Sequence, residues 1–199
     1  MRLIIATRNK GKLREIREIL KGVGLPIVCL EELDKKFRIV ENAKTFLGNA
    51  EKKALPVSKV YKDDYVLGED SGLEVEYLNG KPGVYSKRYS GKTATYRSNN
   101  LKLLKKLERV PVSERKASFI CCLVLAKGAK VIKAFEGRLK GGIAEEAKGK
   151  NGFGYDPVLY LPEYKKTAAQ IPLSLKNKIS HRAKAFGKLK KYLERLQAL

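Results

Sequence analysis

The feature that most constrains the fold is an almost unbroken apolar run at residues 117–126, Ala-Ser-Phe-Ile-Cys-Cys-Leu-Val-Leu-Ala. A strand formed by such a run has no face suited to water, which is typical of the centre of a covered sheet. A membrane-spanning helix needs about 20 apolar residues, and no stretch of this chain approaches that length. The run therefore predicts a central strand, and we expect no membrane partner.

Short strands and helices surround this run without strict alternation. Strands are predicted at 3–7, 28–30, 65–68, 73–77, 130–136 and 138–144, and helices at 12–21, from Thr45 onward, at 95–108 and at 174–197. A tight acidic turn is expected between 68 and 73, and Pro56 is expected to kink the second helix or end it early. Residues 79–91, rich in Gly, Pro and Ser, predict a loop. The pattern predicts an α/β fold with a mixed sheet.

The chain is strongly basic, with 43 Lys and Arg residues against 21 Asp and Glu and a formal net charge of +22. This surplus favours an anionic partner, but a lysine-rich solvated surface explains most of it equally well. Cys29, Cys121 and Cys122 have no zinc-site spacing, and adjacent cysteines in a strand are poor disulfide partners. Reduced, buried thiols and the lack of an apolar leader predict a cytoplasmic protein.

Two polar segments carry groups suited to phosphate and metal chemistry. Thr7-Arg8-Asn9-Lys10-Gly11-Lys12 joins a strand to a helix, where backbone N–H groups and lysines can hold phosphates. Gly68-Glu69-Asp70-Ser71-Gly72 offers two carboxylates that could bind Mg²⁺ or activate a water. Taken alone, each also fits an ordinary turn.

Two further segments carry groups suited to a nucleobase. Asn151-Gly152-Phe153-Gly154-Tyr155-Asp156-Pro157 combines aromatic rings with glycines that allow a flat ligand to approach, although a structural turn fits as well. Ser180-His181-Arg182 holds the chain's single histidine beside an arginine that could address a purine oxygen or a phosphate. A solvent-facing helix turn is the alternative for that segment.

Six segments in order resemble the inosine triphosphate pyrophosphatase family, also called dITP/XTP pyrophosphatases. The matching stretches are 6–12, 45–54, 69–73, 82–89, 152–157 and 176–182, which span nearly the whole chain. The resemblance implies an elongated α/β fold with a long mixed β-sheet, flanking helices and two lobes around a central cleft. It implies one such domain over residues 1–199, and usually a homodimer.

The resemblance also implies roles for individual residues. Asp70 is the expected proton acceptor and a Mg²⁺ ligand, and Glu69 and Glu41 are the expected further metal ligands. The residues expected to bind the triphosphate, the sugar or the base are Thr7, Arg8, Asn9, Lys10, Gly11, Lys12, Lys53, Ser71, Phe153, Gly154, Tyr155, Asp156, Lys176, His181 and Arg182. The sequence departs from the family pattern at Arg8, Gly48, Glu69 and Gln170, where Gly, Glu, Asp and Glu are usual.

The implied activity is Mg²⁺-dependent hydrolysis of ITP, dITP and XTP to a nucleoside monophosphate and pyrophosphate. Two alternatives stay open: a basic nucleic-acid-binding protein, and a pyrophosphatase for modified pyrimidine nucleotides. Aromatic residues make up only 8% of the chain and no nucleic-acid-binding motif occurs, so we expect no specific nucleic-acid partner.

Overall fold

The computed structural model describes residues 1–197, without the side chains of Lys10 and Gln197. The last two residues of the predicted domain lie outside the described residues. The strands are β1 (Leu3–Ile5), β2 (Ile27–Cys29), β3 (Tyr65–Val75), β4 (Lys116–Lys127), β5 (Lys130–Ile143), β6 (Leu159–Leu161) and β7 (Lys166–Thr167). The helices are α1 (Lys10–Ile19), α2 (Phe46–Val60), α3 (Tyr96–Leu107), α4 (Leu173–Ile179) and α5 (His181–Gln197).

The strands form one sheet in the order β2-β1-β3-β4-β5-β6-β7 within the described residues. β1 runs parallel to both β2 and β3, whereas β6 runs antiparallel to β5 and β7. The predicted mixed sheet is therefore confirmed. The apolar run lies in β4, the middle strand of the order, as expected. No helix within residues 1–197 has the length and apolar character to cross a membrane.

The chain divides into two compact units, and each is described by itself. Unit 1 comprises Met1–Ser71, Cys121–Gly137 and the chain from Arg182 onward. Unit 2 comprises Gly72–Ile120 and Arg138–His181.

The sheet of unit 1 is covered by helices on both faces. Side chains alternate between the faces of a strand, so Leu3 and Ile5 of β1 join one apolar cluster while Ile4 joins another. The first cluster includes residues of α1 and α5, such as Phe186, and the second includes residues of α2, such as Ala54. This double cover explains why the strands here can be apolar on both faces.

Unit 2 has an apolar core of its own. Its fully buried side chains include Leu73 from β3 and Leu103 and Leu107 from α3. Phe119 of β4 and Tyr155 pack in the same cluster. Each unit therefore holds its part of the chain through its own hydrophobic contacts.

Two predicted strand boundaries are wrong. β3 runs without a break from Tyr65 to Val75, so the expected acidic turn does not exist. The turn was expected because adjacent carboxylates usually need water, but Glu69 is 1% exposed and receives a hydrogen bond from Lys12 at 2.6 Å. β5 likewise continues through Gly137, where the sequence suggested a boundary between two strands.

Two predictions about helices are also wrong. Of the two outcomes expected at Pro56, a kink or an early end, the early end is wrong: α2 continues to Val60, because the next turn is anchored by Val57, which is completely buried. The final helix is two helices, α4 and α5, separated by the extended residue Ser180. Apolar periodicity continues across that break, so the sequence pattern alone could not reveal it. The N-cap predicted at Thr45 is confirmed, since its hydroxyl accepts a hydrogen bond from the Gly48 amide at 3.1 Å.

The backbones of β3 and α2 approach very closely at Gly68. A Cβ atom placed on Gly68 would lie 1.9 Å from the carbonyl oxygen of Ala50. Only glycine fits at this position, since the obstacle is backbone and cannot rotate away.

We expect Gly68→Ala to destabilise the protein by about 3 kcal/mol or more, since overpacking against rigid backbone has no cheap relief. Gly187→Ala is the matched control, because a Cβ at Gly187 in α5 meets no atom within 4 Å. That substitution should be neutral or stabilising by up to about 1 kcal/mol, as expected for Gly→Ala within a helix. The midpoints of urea unfolding, compared at an unchanged m-value, measure the change in stability of each variant. Equal midpoints for the two variants would contradict the close approach of the β3 and α2 backbones.

Candidate active site

The predicted site residues form two groups, one in each unit. The group in unit 1 comprises Thr7, Arg8, Asn9, Gly11, Lys12, Glu41, Lys53, Glu69, Asp70, Ser71 and Arg182. The group in unit 2 comprises Phe153, Gly154, Tyr155, Asp156, Lys176 and His181. The side chain of Lys10, a predicted phosphate ligand, lies outside the described residues.

The loop after β1 ends in a capped helix. Asn9 is the N-cap of α1, and its side-chain oxygen accepts a hydrogen bond from the Lys12 amide at 3.1 Å. The Asn9 amide in turn donates to the Thr7 hydroxyl at 3.2 Å. The guanidinium of Arg8 donates to the carbonyl oxygen of Phe37 at 2.7 Å. The arrangement presents the positive end of α1 and two cationic side chains, which suits phosphate binding.

Glu69 is a buried carboxylate surrounded by cations. Lys12 Nζ donates to it at 2.6 Å, and a guanidinium nitrogen of Arg182 lies 3.6 Å from its other oxygen, near which the Cys121 thiol also lies at 3.6 Å. Burial by itself raises the pKa of Glu69, but the positive charges of Lys12, Arg182 and Lys53 outweigh burial and hold the pKa far below its usual range. Glu69 is therefore a permanent negative charge inside unit 1.

Asp70 has a donor on each of its two oxygens. Lys53 Nζ lies 2.9 Å from one oxygen, and the Asn49 side-chain amide donates to the other at 3.1 Å. Lys53 Nζ also lies 2.8 Å from Glu41. Burial raises the pKa of Asp70, and the charge of Lys53 opposes that rise. Burial thus increases the basicity of the Asp70 carboxylate.

Asn49 is a site residue to which the sequence analysis gave no role. It precedes Lys53 by four residues, so both side chains lie on one face of α2. Its side-chain oxygen accepts a hydrogen bond from the Ala43 amide at 2.9 Å, which fixes the side chain that holds Asp70. The available signal was the four-residue spacing that places Asn49 and Lys53 on the face of α2 that also carries the apolar residues Ala50, Ala54 and Val57.

Arg182 lies inside unit 1 and does not face solvent. The alternative of a solvent-facing helix turn is wrong, because His181 and Arg182 are only 6% and 2% exposed. One terminal nitrogen of Arg182 is paired with Glu15, and the other donates to the Ser71 hydroxyl at 3.3 Å. Glu15 was also missed by the sequence analysis, although it follows Lys12 by one helix turn.

The unit 2 group is organised by Asp156. One oxygen of this buried carboxylate accepts hydrogen bonds from the Phe153 amide at 2.7 Å and from Lys176 Nζ at 2.5 Å. Lys176 Nζ lies 5.0 Å from the centroid of the Phe153 ring. A Cβ on Gly152 would lie 2.1 Å from Asp156, so this position requires glycine. The cluster brings an aromatic ring and an ammonium group together, a combination suited to a polar aromatic ligand.

The other predicted residues of unit 2 are held by contacts with distant parts of the same unit. The Tyr155 ring is packed in the core, and its hydroxyl donates to the Ser86 carbonyl oxygen at 2.9 Å. The Gly154 carbonyl accepts a hydrogen bond from Asn100 at 3.0 Å. The His181 ring stacks on Phe119, with the ring centroids 4.8 Å apart.

Unit 2 also contains a cavity of about 590 Å³ with a cationic lining. Its lining residues are Lys87, Arg88, Lys92, Ala94, Thr95 and Tyr96. The Tyr96 ring is tilted against that of Phe153, with centroids 6.1 Å apart. Apart from Lys87 and Arg88, which lie in a matching stretch, the sequence analysis did not single out these residues. Their chemistry suits an anionic ligand.

The carboxylates of unit 1 fit a magnesium ion that is shared with a phosphorylated ligand. Within residues 1–197, no group of three or more His, Cys, Asp or Glu side chains is placed to hold a metal by itself. Asp70 and Glu41, however, meet at Lys53 and supply hard oxygen donors. Mg²⁺ is commonly held by one or two carboxylates together with substrate phosphates and water, so this donor set is suitable.

We expect Glu69→Gln to lower the free energy of unfolding by about 3 kcal/mol, because it removes the counter-ion of buried Arg182 and of Lys12. Glu74→Gln on the same strand is the control, since Glu74 pairs with Arg138 at 3.6 Å with a side chain that is 39% exposed. A surface pair of this kind is worth about 1 kcal/mol or less. Denaturant unfolding of both variants tests the difference, and equal losses would show that Glu69 is not held as described.

Comparison with known proteins gives matches over almost the full chain. Residues 3–192 match the model of the Ham1 family. The chain is 44% identical over 196 residues to a dITP/XTP pyrophosphatase of Desulforamulus reducens, covering 98% of this chain and 97% of that protein. It is 46% identical over 198 residues to a dITP/XTP pyrophosphatase of Caldanaerobacter subterraneus subsp. tengcongensis, covering 99% and 98%.

Comparison with solved structures also gives matches over almost the full chain. A HAM1 protein from Coxiella burnetii matches with a TM-score of 0.90 and 37% identity, covering 98% of this chain and 99% of that one. A nucleoside-triphosphatase / dITP/XTP pyrophosphatase from Mycobacterium abscessus matches with a TM-score of 0.79 and 34% identity, covering 95% and 98%.

Proposed function

The chain belongs to the Ham1 family, and on that premise we propose that it hydrolyses ITP, dITP and XTP to the nucleoside monophosphate and pyrophosphate. The observation that carries the proposal is the arrangement of Asp70 between Lys53 and Asn49 in unit 1. A buried carboxylate held between an ammonium group and a side-chain amide suits the hydrolysis of a phosphoanhydride.

The residues around the N-terminus of α1 bind the triphosphate. The backbone from Thr7 to Lys12 and the ammonium groups of Lys12 and Lys53 supply positive charge to the phosphate oxygens. Glu69 holds Lys12 in place, so we propose a counter-ion role for Glu69 within this site. Asp70 and Glu41 are the proposed Mg²⁺ ligands, and the bound ion would neutralise charge on the phosphates.

The chemical step is attack of a water on the α-phosphorus. Asp70 takes a proton from that water while the new P–O bond forms. The bond between the α-phosphorus and the bridging oxygen breaks, and pyrophosphate leaves. Lys53, at 2.9 Å, favours the ionised form of Asp70 and so opposes the rise in its pKa that burial causes.

Selectivity for the base comes from hydrogen-bond donors in unit 2. Hypoxanthine and xanthine present an oxygen at position six, which accepts hydrogen bonds from Lys176 or His181. Adenine presents an amino group there, so it would leave a buried donor unpaired at a cost of about 1–3 kcal/mol. Phe153 offers a ring on which the base can stack.

Compartment and assembly are proposed on separate grounds. All three cysteines are buried and free of disulfides, which suits a reducing cytoplasm.

A homodimer remains a prediction from the family resemblance, and light scattering of the purified protein tests it. A nucleic-acid-binding protein and a pyrimidine-specific pyrophosphatase are the competing functions.

With Mg²⁺ present, we expect the purified protein to convert ITP, dITP and XTP to monophosphate and pyrophosphate. For ATP and modified pyrimidine triphosphates, kcat/KM should be at least about tenfold lower. A tenfold difference corresponds to the free-energy cost of leaving one buried hydrogen-bond donor unpaired. Chromatography of the products over a panel of nucleotides measures this, and chelation of Mg²⁺ should abolish turnover. Release of orthophosphate would contradict the proposed bond cleavage.

Asp70→Asn should lower kcat about 100-fold or more, because it removes the proton acceptor and keeps the shape of the side chain. Its melting temperature should change little, since Lys53 retains Glu41 as a partner. Asp64→Asn is the control: Asp64 is also a buried carboxylate of unit 1, paired with Arg2 at 2.6 Å, but it lies directly before the first residue of β3 and has no proposed role in the chemistry. Full activity in Asp70→Asn would remove Asp70 from the mechanism.

A further inference from the structure

A core residue with no assigned role lies in direct contact with the chain's only histidine. The ring of Phe119, in the apolar run of β4, stacks on the ring of His181 with centroids 4.8 Å apart and planes inclined by 26°. Both side chains are 6% exposed. His181 is the first residue of α5, directly after the extended residue Ser180.

A near-parallel stack fixes more than the position of an imidazole. The ring nitrogens of histidine donate and accept hydrogen bonds in the plane of the ring. A flat neighbour at this distance therefore sets the plane in which those hydrogen bonds can form. A side chain already held in one orientation loses less entropy when it binds a ligand.

Phe135 provides a contrast within the same protein. It is also a buried phenylalanine, at 8% exposed, and its ring meets Tyr192 edge-on with centroids 5.6 Å apart. That contact joins two residues of the unit 1 core, neither of which is a predicted site residue. Phe119 differs because its ring partner is a predicted contact to the nucleobase.

We propose that Phe119 is a positioning residue for base recognition, which holds the His181 imidazole in the plane needed to hydrogen-bond the six-oxygen of an oxopurine. This inference rests on the proposed function and on His181 as a contact to the base. Loss of the phenyl ring leaves the imidazole present but removes the ring on which it stacks. The effect therefore falls on KM and on the choice between ITP and ATP, and not on kcat, because the proposed chemical groups belong to unit 1.

The test compares Phe119→Leu with Phe135→Leu, His181→Ala and the double variant Phe119→Leu/His181→Ala. We expect Phe119→Leu to raise KM for ITP and to lower the ITP-to-ATP ratio of kcat/KM about two- to tenfold, the range that corresponds to one aromatic pair. kcat for ITP should stay within about twofold of wild type. Phe135→Leu should leave the ratio unchanged, and Phe119→Leu should have no further effect once His181 is absent.

NMR supplies a readout that does not depend on turnover. Because the chain has one histidine, its imidazole protons give a single set of signals. Stacking on Phe119 should shift these signals upfield relative to the unfolded chain, and Phe119→Leu should remove that shift. This measurement on the wild-type protein stands even if the variant fails to fold.

The outcomes separate the inference from the function on which it rests. A wild-type enzyme with no preference for ITP over ATP would overturn both. A wild-type preference that Phe119→Leu retains, although the upfield shift is lost, would overturn the positioning role and leave the function intact. Equal loss of the ratio in Phe119→Leu and Phe135→Leu would also overturn it, since general loosening would then be the cause. Histidine signals without an upfield shift in the wild-type protein would refute the stack itself.

Discussion

The ionised carboxylate of Glu69 is the constraint on which the cluster of charged side chains in unit 1 depends. A charge with no access to water is stable only when cations compensate the lost hydration. Three helices supply them: Lys12 from α1, Lys53 from α2 and Arg182 from α5. The three helices are thereby tied to one residue of β3. Asp70, the next residue along the strand, therefore lies in surroundings that already contain positively charged side chains.

The sequence predicted the parts of the fold that depend on local pattern. The apolar run at 117–126 identified the middle strand because a strand that is buried on both faces is apolar at nearly every position. Thr45 identified the start of α2 because capping is a contact between neighbours in the chain. The ordered motifs identified the family and named the residues of the candidate site, although not the partners that hold them.

The partners could not be predicted because they are distant in sequence. Glu69 and Lys12 are 57 positions apart, and Arg182 and Glu15 are 167 apart. No periodicity or spacing rule connects such residues, and only the folded chain brings them together. The same limit explains the false turn in β3: a Glu-Asp pair suggests exposure until a lysine from another element is known to meet it.

The distribution of thiols makes the two units chemically distinguishable. Cys29, Cys121 and Cys122, the only cysteines in the sequence, all belong to unit 1 and are buried. Burial, and then the charge of Glu69, raise the pKa of Cys121 well above its usual range, so its thiolate form is scarce in the native state. Because all three sulfurs are buried, alkylating reagents can reach them only when their surroundings open. The rate of alkylation therefore reports how often the surroundings of these three cysteines open.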